Sequence, residues 1–535
     1  MPDTTQDLAA PPEPLQGIFG LDLGRMKAAL GYGQSFDIAV REFRVGNRNA
    51  ALIMVDGFSH DLLVQQVMIS LMRAEQGDPA SSLEMILARD LVFAKINPVG
   101  TIKEAVGQVL MGRTVLLVDG ALDAVAIDMR TYPGRNPEEP DLERVIRGSR
   151  DGFVETVMFN VALIRRRLRD PRLRFELQPV GRRSQTDVVV AYLQDVADPA
   201  LVQEVRSRLR KVDVDGLPMA EKSLEEFILE QRKWWNPYPT IRYTERPDVT
   251  AVHLLEGHVA ILVDTSPSVM LLPVTIFHHI QHAEEYRQDV LVGAYLRWVR
   301  TFGIFISAFI TPVWILLAHY PELMPALQGV IGTKGQFAVP VWLQFFLAEI
   351  LLDIFRMALV HTPTALSTSL GIIGAILLGQ MAIDVGLLAA ETVMYVALAA
   401  IGTFATPSME FAMAVRLFRL LYLLGVVVLG PVGFFLVLIV NLLLLLVTRS
   451  FGVPYTWPLI PLDVSALTNV LVRRPVPVHR MRPRMLRPLD PDRIPDEGKS
   501  EKQGGIARPT PKRPAPIRQW RRPRRGERPD DDGMN

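Results

Sequence analysis

Three constellations in this chain carry residue types able to do chemistry. The first is Glu349, Asp353 and Arg356, set in the otherwise apolar stretch Val341–Leu359. Their spacing of i, i+4 and i+7 places all three on one stripe of a helix. Charged groups are costly inside a lipid-embedded helix and face a bundle interior, a partner or water. Asp353 and Arg356 can pair at i+3, which leaves Glu349 in need of a partner. The stripe reads either as part of an ion path or subunit contact, or as an ion pair that fixes packing. The second constellation is Ser367, Gly371, Ala375 and Gly379, small residues at four-residue spacing. Such a face lets helix backbones approach closely. Gln380 and Asp384 follow one turn apart at its end. A smooth face with a polar mouth suits a pore shared by several subunits, or ordinary tight packing within one chain. The third is His278, His279 and His282, with Glu284 and Glu285 just beyond. His278 and His282 stand at i, i+4, and Glu285 lies three residues past His282. The zinc-enzyme pattern HExxH is absent, so no metal site is expected there. With no cysteine, thiol nucleophiles and Cys-ligated metals are excluded. Neither a Walker A sequence, nor GxGxxG after a strand, nor GxSxG occurs. No catalytic residues, no enzyme activity and no cofactor are expected.

These groups sit in a chain of 535 residues with formal net charge +1 and 21% charged residues. The charge is segregated: residues 298–448 carry few ionisable groups while both flanks carry many. A helix needs about 20 apolar residues to cross the hydrocarbon. Trp298–Leu317, Val341–Leu359, Leu366–Leu388, Thr392–Thr406 and Leu417–Val447 are the candidate spans. The last is too long for one span and is broken at Gly430-Pro431, so it reads as two. The expectation is an all-α transmembrane bundle over 297–448 with four to six helical segments. Basic residues favour the cytoplasmic side. Arg297, Arg300, Arg356, Arg416, Arg419 and Arg449 all fall on that side if the N-terminal region is inside and there are six spans. Both termini are then cytoplasmic. Met1–Leu15 is acidic and Pro-rich, unlike a cleavable signal peptide.

Ahead of the bundle the pattern is α/β. Residues 1–45 read as a disordered lead-in, and 46–233 as one or two small α/β subdomains with strands and helices interleaved. Ala50–Val55, Thr114–Val118, Ala124–Ile127, Arg172–Val180 and Asp187–Leu193 read as strands. His60–Ala74, Thr101–Leu110, Gly148–Pro171 and Pro199–Lys211 contain helices. Residues 234–296 read as a connector, with a strand pair over His253–Val263 and an amphipathic approach helix over Pro273–Tyr295. After a membrane-proximal segment, 449–472, comes a Pro- and Arg-rich tail, 473–535. The tail holds 18 Lys+Arg against 9 Asp+Glu. This composition cannot build a core and is expected to be disordered, attracted to anionic headgroups or simply solubilising. The basic run Arg165–Arg169 suits a helix C-terminus. No nucleic-acid partner is expected.

Several segments together resemble the A subunits of the GerA-type spore germination receptors (the GerABKA family). They are GRTVLLVDG…YPGRNPEEPDLERVIRGSR at Gly112–Arg150, continued by DGFVETVMFNVALIRRRLRDPRL and VGRRSQTDVVVAYL; VDTSPSVMLLP at Val263–Pro273; and SFGVPYTWPLIP at Ser450–Pro461. HTPTALSTSLG, AAIGTFATPS and LVRRPVPVHR add to the match, which spans about residues 45–475 in order. The resemblance implies a multi-pass protein of the spore inner membrane that promotes germination. It implies an oligomeric ion-channel subunit mediating ion release, with the lipid bilayer, further copies of itself and other small or multi-pass membrane subunits of a germination complex as partners. The transporter-like nutrient-binding subunit of such receptors is a separate chain, and nothing here resembles it. The alternatives are a non-conducting scaffold or signalling subunit, and a secondary transporter. Transporters show paired internal repeats, and none is evident in Trp298–Val447.

Overall fold

Leu23, Met26 and Leu30 recur at helical spacing and are buried, and they set the inner face of α1 (Phe19–Leu30). Gly31, at φ +67°, closes the helix in the left-handed conformation that glycine adopts at least cost. This is the start of a computed structural model that describes residues 13–59, 61–72, 96–131, 147–229, 235–327, 337–361, 379–475 and 480–493, with single residues between them. The hairpin β1 (Ile38–Val45) and β2 (Arg48–Val55) follows. Every residue of β2 from Ala50 to Val55 is buried, because helices cover both faces of the sheet. One face packs on α1 and α3 (Ile102–Leu110), the other on α2 (Asp61–Met72). With β3 (Ile96–Val99), β4 (Thr114–Val118) and β5 (Ala124–Ile127), the sheet has order β1-β2-β4-β5-β3 and is antiparallel throughout.

A second five-stranded antiparallel sheet repeats this plan. After α4 (Val157–Arg167) come β6 (Leu173–Val180) and β7 (Thr186–Leu193), then α5 (Pro199–Arg210), α6 (Ala220–Ile228), β8 (Arg242–Thr244), α7 (Pro247–Glu256), β9 (Val259–Val263) and β10 (Val269–Leu272). The order is β6-β7-β9-β10-β8, the same permutation as in the first sheet. In both, a helix precedes the first hairpin and another precedes the second. The turn of the second hairpin opens with an aspartate followed by a residue at positive φ: Asp119-Gly120 at +76° and Asp264-Thr265 at +71°. The α/β part is thus one module used twice. Arg165, on α4, joins the two copies. Its guanidinium is buried and meets the buried Asp37 ahead of β1 at 2.8 and 3.1 Å.

Several expectations are corrected. The lead-in carries α1 and the start of β1 inside the first core, because its apolar residues are periodic; residues 1–12 lie outside the described residues. His253 lies on α7 instead of in a strand: Pro247 starts a helix and Gly257, at φ +105°, ends it. Residues 242–272 complete the second sheet and are no connector. The approach helix is two short helices, α8 (Ile276–Ile280) and α9 (Ala283–Arg287), each with its own cap. Arg165, in the basic run at the C-terminus of α4, is paired internally.

The helical region comprises α10 (Val290–His319), α11 (Val341–His361), α12 (Ala390–Phe404) and α13 (Met409–Val447). By length and composition two of these, α10 and α13, are apolar and long enough to cross a membrane. Their outer faces leave Phe302, Phe305, Val428 and Val432 exposed. Gly430 sits at φ +62°, ψ −141°, outside helical space, as the Gly430-Pro431 break leads one to expect. There the chain doubles back. Asn441 Nδ2 donates to Tyr422 Oη at 2.9 Å, and the Tyr422 and Phe434 rings lie 5.4 Å apart. A straight helix would separate residues 422 and 441 by about 28 Å. The two arms touch at Gly425 and Gly433, where a methyl group on either would strike the other's backbone. Beyond α13, a two-stranded turn (β11, Arg449–Ser450; β12, Val453–Pro454) and α14 (Val464–Leu471) lead back to the α/β modules. The expectation of disorder from 473 onward is corrected for residues 480–493. Leu489 N donates to Val196 O, Arg482 to Leu255 O, and Leu486 is buried near Gly257. Residues 494–535 lie outside the described residues.

Candidate functional site in the helical bundle

The charged stripe of α11 finds its partners on α13. Glu349 is fully buried, and its Oε2 lies 2.8 Å from Arg419 Nη2 and 3.2 Å from Arg416 Nη2. Asp353 takes Arg416 Nη1 at 2.5 Å. The expected Asp353–Arg356 pair does not form. Arg356 turns to the sulfurs of Met409 and Met413, at 3.0 and 2.9 Å, because Arg416 already holds the aspartate. Arg419 also donates to Ser307 O and Oγ on α10, at 2.8 and 3.0 Å, and Ser307 Oγ shares a hydrogen bond with Thr403 Oγ1 on α12. One network therefore ties all four helices together. Its backbone approach is made at Gly303 and Gly402, where any side chain on Gly402 would meet the Gly303 carbonyl. Arg419 lies ten residues into α13, about 15 Å along its axis. Glu349 Oε1 and the Nε atoms of Arg416 and Arg419 have no hydrogen-bond partner among the described residues. The network is well braced without being fully satisfied.

The small-residue segment behaves differently. Ser367 and Ala375 lie outside the described residues. At Gly371 and Gly379 an added Cβ would meet nothing within 4 Å among the described residues, whereas at Gly374 it would strike the Phe355 ring of α11. Among the described residues it is therefore Gly374 that packs within the chain. The expected span Leu366–Leu388 stops early: past the short helix Ala382–Asp384 the chain turns at Gly386, φ +74°. Gln380 Nε2 donates to Asp384 Oδ1 at 3.1 Å, with both groups exposed. The buried Gln344 anchors the far side of this turn, accepting from Ala389 N at 2.7 Å and Thr392 Oγ1 at 3.1 Å.

The histidines of the approach segment do not gather around Glu285. His282 caps α9 by accepting from Glu284 N, and buried Glu285 is held by Arg297 at 2.7 Å and by Arg300. Burial holds the His282 imidazole down to about 4, with the Arg300 charge acting in the same direction. His279 is held down to about 3 by burial, and its Nδ1 lies 3.2 Å from Ser408 Oγ at the start of α13. His278 instead joins His253 and His258 of the second module. Sequence reasoning missed Arg416, Arg419, His253 and His258 as site residues. For the arginines the available signal was two cations three residues apart in an apolar run, which positive-inside counting had assigned to a boundary.

Three comparisons bear on this arrangement. Residues 25–485 match the family described as Bacillus/Clostridium GerA spore germination protein. Over 464 residues, the chain is 46% identical to stage V sporulation protein AF of Bacillus subtilis (strain 168), covering 86% of this chain and 94% of that protein. It is 29% identical to spore germination protein KA of the same organism, covering 83% of this chain and 82% of that one. Among solved structures, the N-terminal domain of the A subunit of the Bacillus megaterium spore germinant receptor GerK3 aligns at 27% identity and TM-score 0.39, over 49% of this chain and 98% of that domain.

Proposed function

The chain belongs to the Bacillus/Clostridium GerA family of spore germination proteins, and from that premise we propose that it is the pore-forming subunit of an oligomeric ion channel that opens during germination. The observation that carries this reading is the space that the described residues leave beside Gly371 and Gly379, next to the exposed Gln380–Asp384 bond. Small residues with such space beside them suit the close approach of a second helix. Copies related head to tail would close into a ring, and Asp384 would then line its mouth as an acidic ring that favours cations. The exposed apolar faces of α10 and α13 suit lipid or a neighbouring copy. The network of Glu349, Asp353, Arg416 and Arg419 is balanced in charge and braces the bundle, so its part is packing. The protein sits in the spore inner membrane with both termini on the inner side, acts alongside other membrane subunits of a germination complex, and catalyses no reaction.

The full-length protein reconstituted in liposomes tests this directly. The expected result is a cation-selective conductance that Asp384→Asn makes less selective and that Gly371→Leu or Gly379→Leu abolishes. Assembly without conductance would identify a scaffold. Conductance indifferent to all three substitutions would place the pore elsewhere, and saturable, substrate-coupled uptake would mark a transporter.

A further inference from the structure

Outside the bundle, His253, His258 and His278 each bring one ring nitrogen to within 4.8 Å of the others. No other group of three such ligands is found among the described residues. The three come from separate elements: the last turn of α7, the residue between Gly257 and β9, and α8. We infer that they form a binding site for a single divalent transition-metal ion, with zinc the best match.

The alternative is that three histidines simply pack edge to face, as their ring separations of 5.0 to 5.8 Å allow. The polar atoms decide between the two. His258 is fully buried, and neither ring nitrogen makes a hydrogen bond of good geometry, although the backbone of Leu272 and Pro273 lies beside the ring. A polar side chain that is merely packed is expected to have found a partner. His253 donates Nδ1–H to Val249 O at 2.8 Å, the backbone bond that orients a ligating imidazole and frees its Nε2. His278 Nδ1 lies 2.9 Å from Thr275 Oγ1 and 3.1 Å from Thr275 N. Metal binding selects the tautomer whose Nδ1–H donates to the hydroxyl, and gives up the bond from the Thr275 amide. Burial holds all three imidazoles well below their ordinary range, with mutual repulsion adding to it for His253 and His278, so all three are neutral near pH 7. Neutral imidazole is the form that takes a metal.

The Arg242 guanidinium nearby opposes a cation, but it pairs with Glu143 at 3.2 Å. Three imidazoles without thiolate suit Zn(II), and also Co(II), Ni(II) or Cu(II). Nitrogens at zinc's bond length stand about 3.3 Å apart in a tetrahedron, so capture draws the rings together by about an ångström. Water completes the shell, since Glu256, whose Oε2 is 3.9 Å from His258 Nε2, is held by Arg493. A cavity of about 150 Å³, walled by His278, His279, Arg242 and residues Thr406–Glu410, reaches the site on its His278 side. An ion here clamps the second module to α8, and through α9 to α10.

The test uses the full-length chain in detergent, carrying no polyhistidine tag and dialysed free of metal. Titration with Zn(II) is expected to saturate at one ion per chain. Co(II) is expected to show the visible bands of a four-coordinate site, lost on adding zinc. His258→Gln and His278→Gln should each weaken Zn(II) binding at least about tenfold, with unchanged far-UV circular dichroism. Substoichiometric Zn(II) in the wild-type protein, or affinity unchanged in both variants, overturns the inference. If His258→Gln fails to fold, the wild-type Co(II) spectrum and His278→Gln still decide.

Discussion

Replacing Glu349 with leucine tests the view that the bundle's charge network holds its four helices together. Two charges 2.8 Å apart, as Glu349 and Arg419 are, attract by about 6 kcal/mol at an effective dielectric constant of about 20. Most of that is offset by the cost of burying both ions. Removing one partner of a buried pair costs about 3–5 kcal/mol, because the other charge is left behind. The lower end applies here. Without Glu349, Arg416 keeps Asp353 at 2.5 Å and Arg419 keeps two bonds to Ser307. Glu349→Leu should therefore cost about 3 kcal/mol. Arg419→Met alone should cost less, because Glu349 retains Arg416 at 3.2 Å. The double variant should be more stable than the sum of the two losses allows, with a coupling of about 2 kcal/mol. The assay is reversible unfolding in mixed detergent micelles followed by far-UV circular dichroism, with all four species in one double-mutant cycle. Losses that add to within about 0.5 kcal/mol would refute the reasoning, since they would mean that the two side chains do not sense each other.

Two other outcomes follow from buried groups. Asp37→Ala strands the buried Arg165 between the two modules and should cost about 3–5 kcal/mol, and adding Arg165→Met should recover part of it; limited proteolysis between the modules reads the same loss. For pH, His282 is depressed to about 4 in the folded chain against 6.5 for the free side chain. The unfolded chain therefore binds the proton first as pH falls, so stability is fully present above about 6.5 and is lost progressively toward about 4. His282→Gln should flatten that part of the profile measured by thermal unfolding, and an unchanged slope would count against it.

How much of this was legible in the sequence differs by region. In the α/β part, apolar runs bounded by Asp-Gly or Asp-Thr turns, and helices capped by Thr101 and Asp198, carry their structure locally. The strands over Thr114–Val118, Ala124–Ile127 and Asp187–Leu193 follow the reading closely. What stayed hidden was the repeated topology, because strand order is set by pairings between residues as distant as β7 and β9, and no local pattern records them. The 253–263 error has a similar origin. The apolar residues of Pro247–Glu256 fit a short strand as well as a helix, and the helix won because Pro247 begins it and Gly257 ends it. In the candidate site, the α11 stripe was legible as a stripe, but its partners lie more than 60 residues away. The i+3 rule favoured Arg356 because it weighs only neighbours on the same helix.

The same distinction bears on how charge bias is read along the chain. Of the six arginines that favour a cytoplasmic position, Arg416 and Arg419 are balanced by Glu349 and Asp353, whereas Arg297 and Arg300 share Glu285 and keep one uncompensated positive charge. An arginine whose charge is balanced within the fold presents little net charge to either side of a membrane, so it says little about which side that is. Arg356 and Arg449 are the two of the six with no carboxylate partner shown, and Arg449 is exposed at the end of α13. Orientation then rests on these two and the uncompensated charge at Arg297–Arg300, together with the net +9 of the tail from Arg473. It follows that neutralising Arg449 and the tail together should disturb membrane topology far more than neutralising Arg416 and Arg419, whose loss should appear as unfolding instead. Labelling accessibility of a cysteine placed after residue 493 separates the two outcomes. Inversion on losing Arg416 and Arg419, with the fold intact, would show that the buried pairs form only after the helices have already been oriented by those same charges.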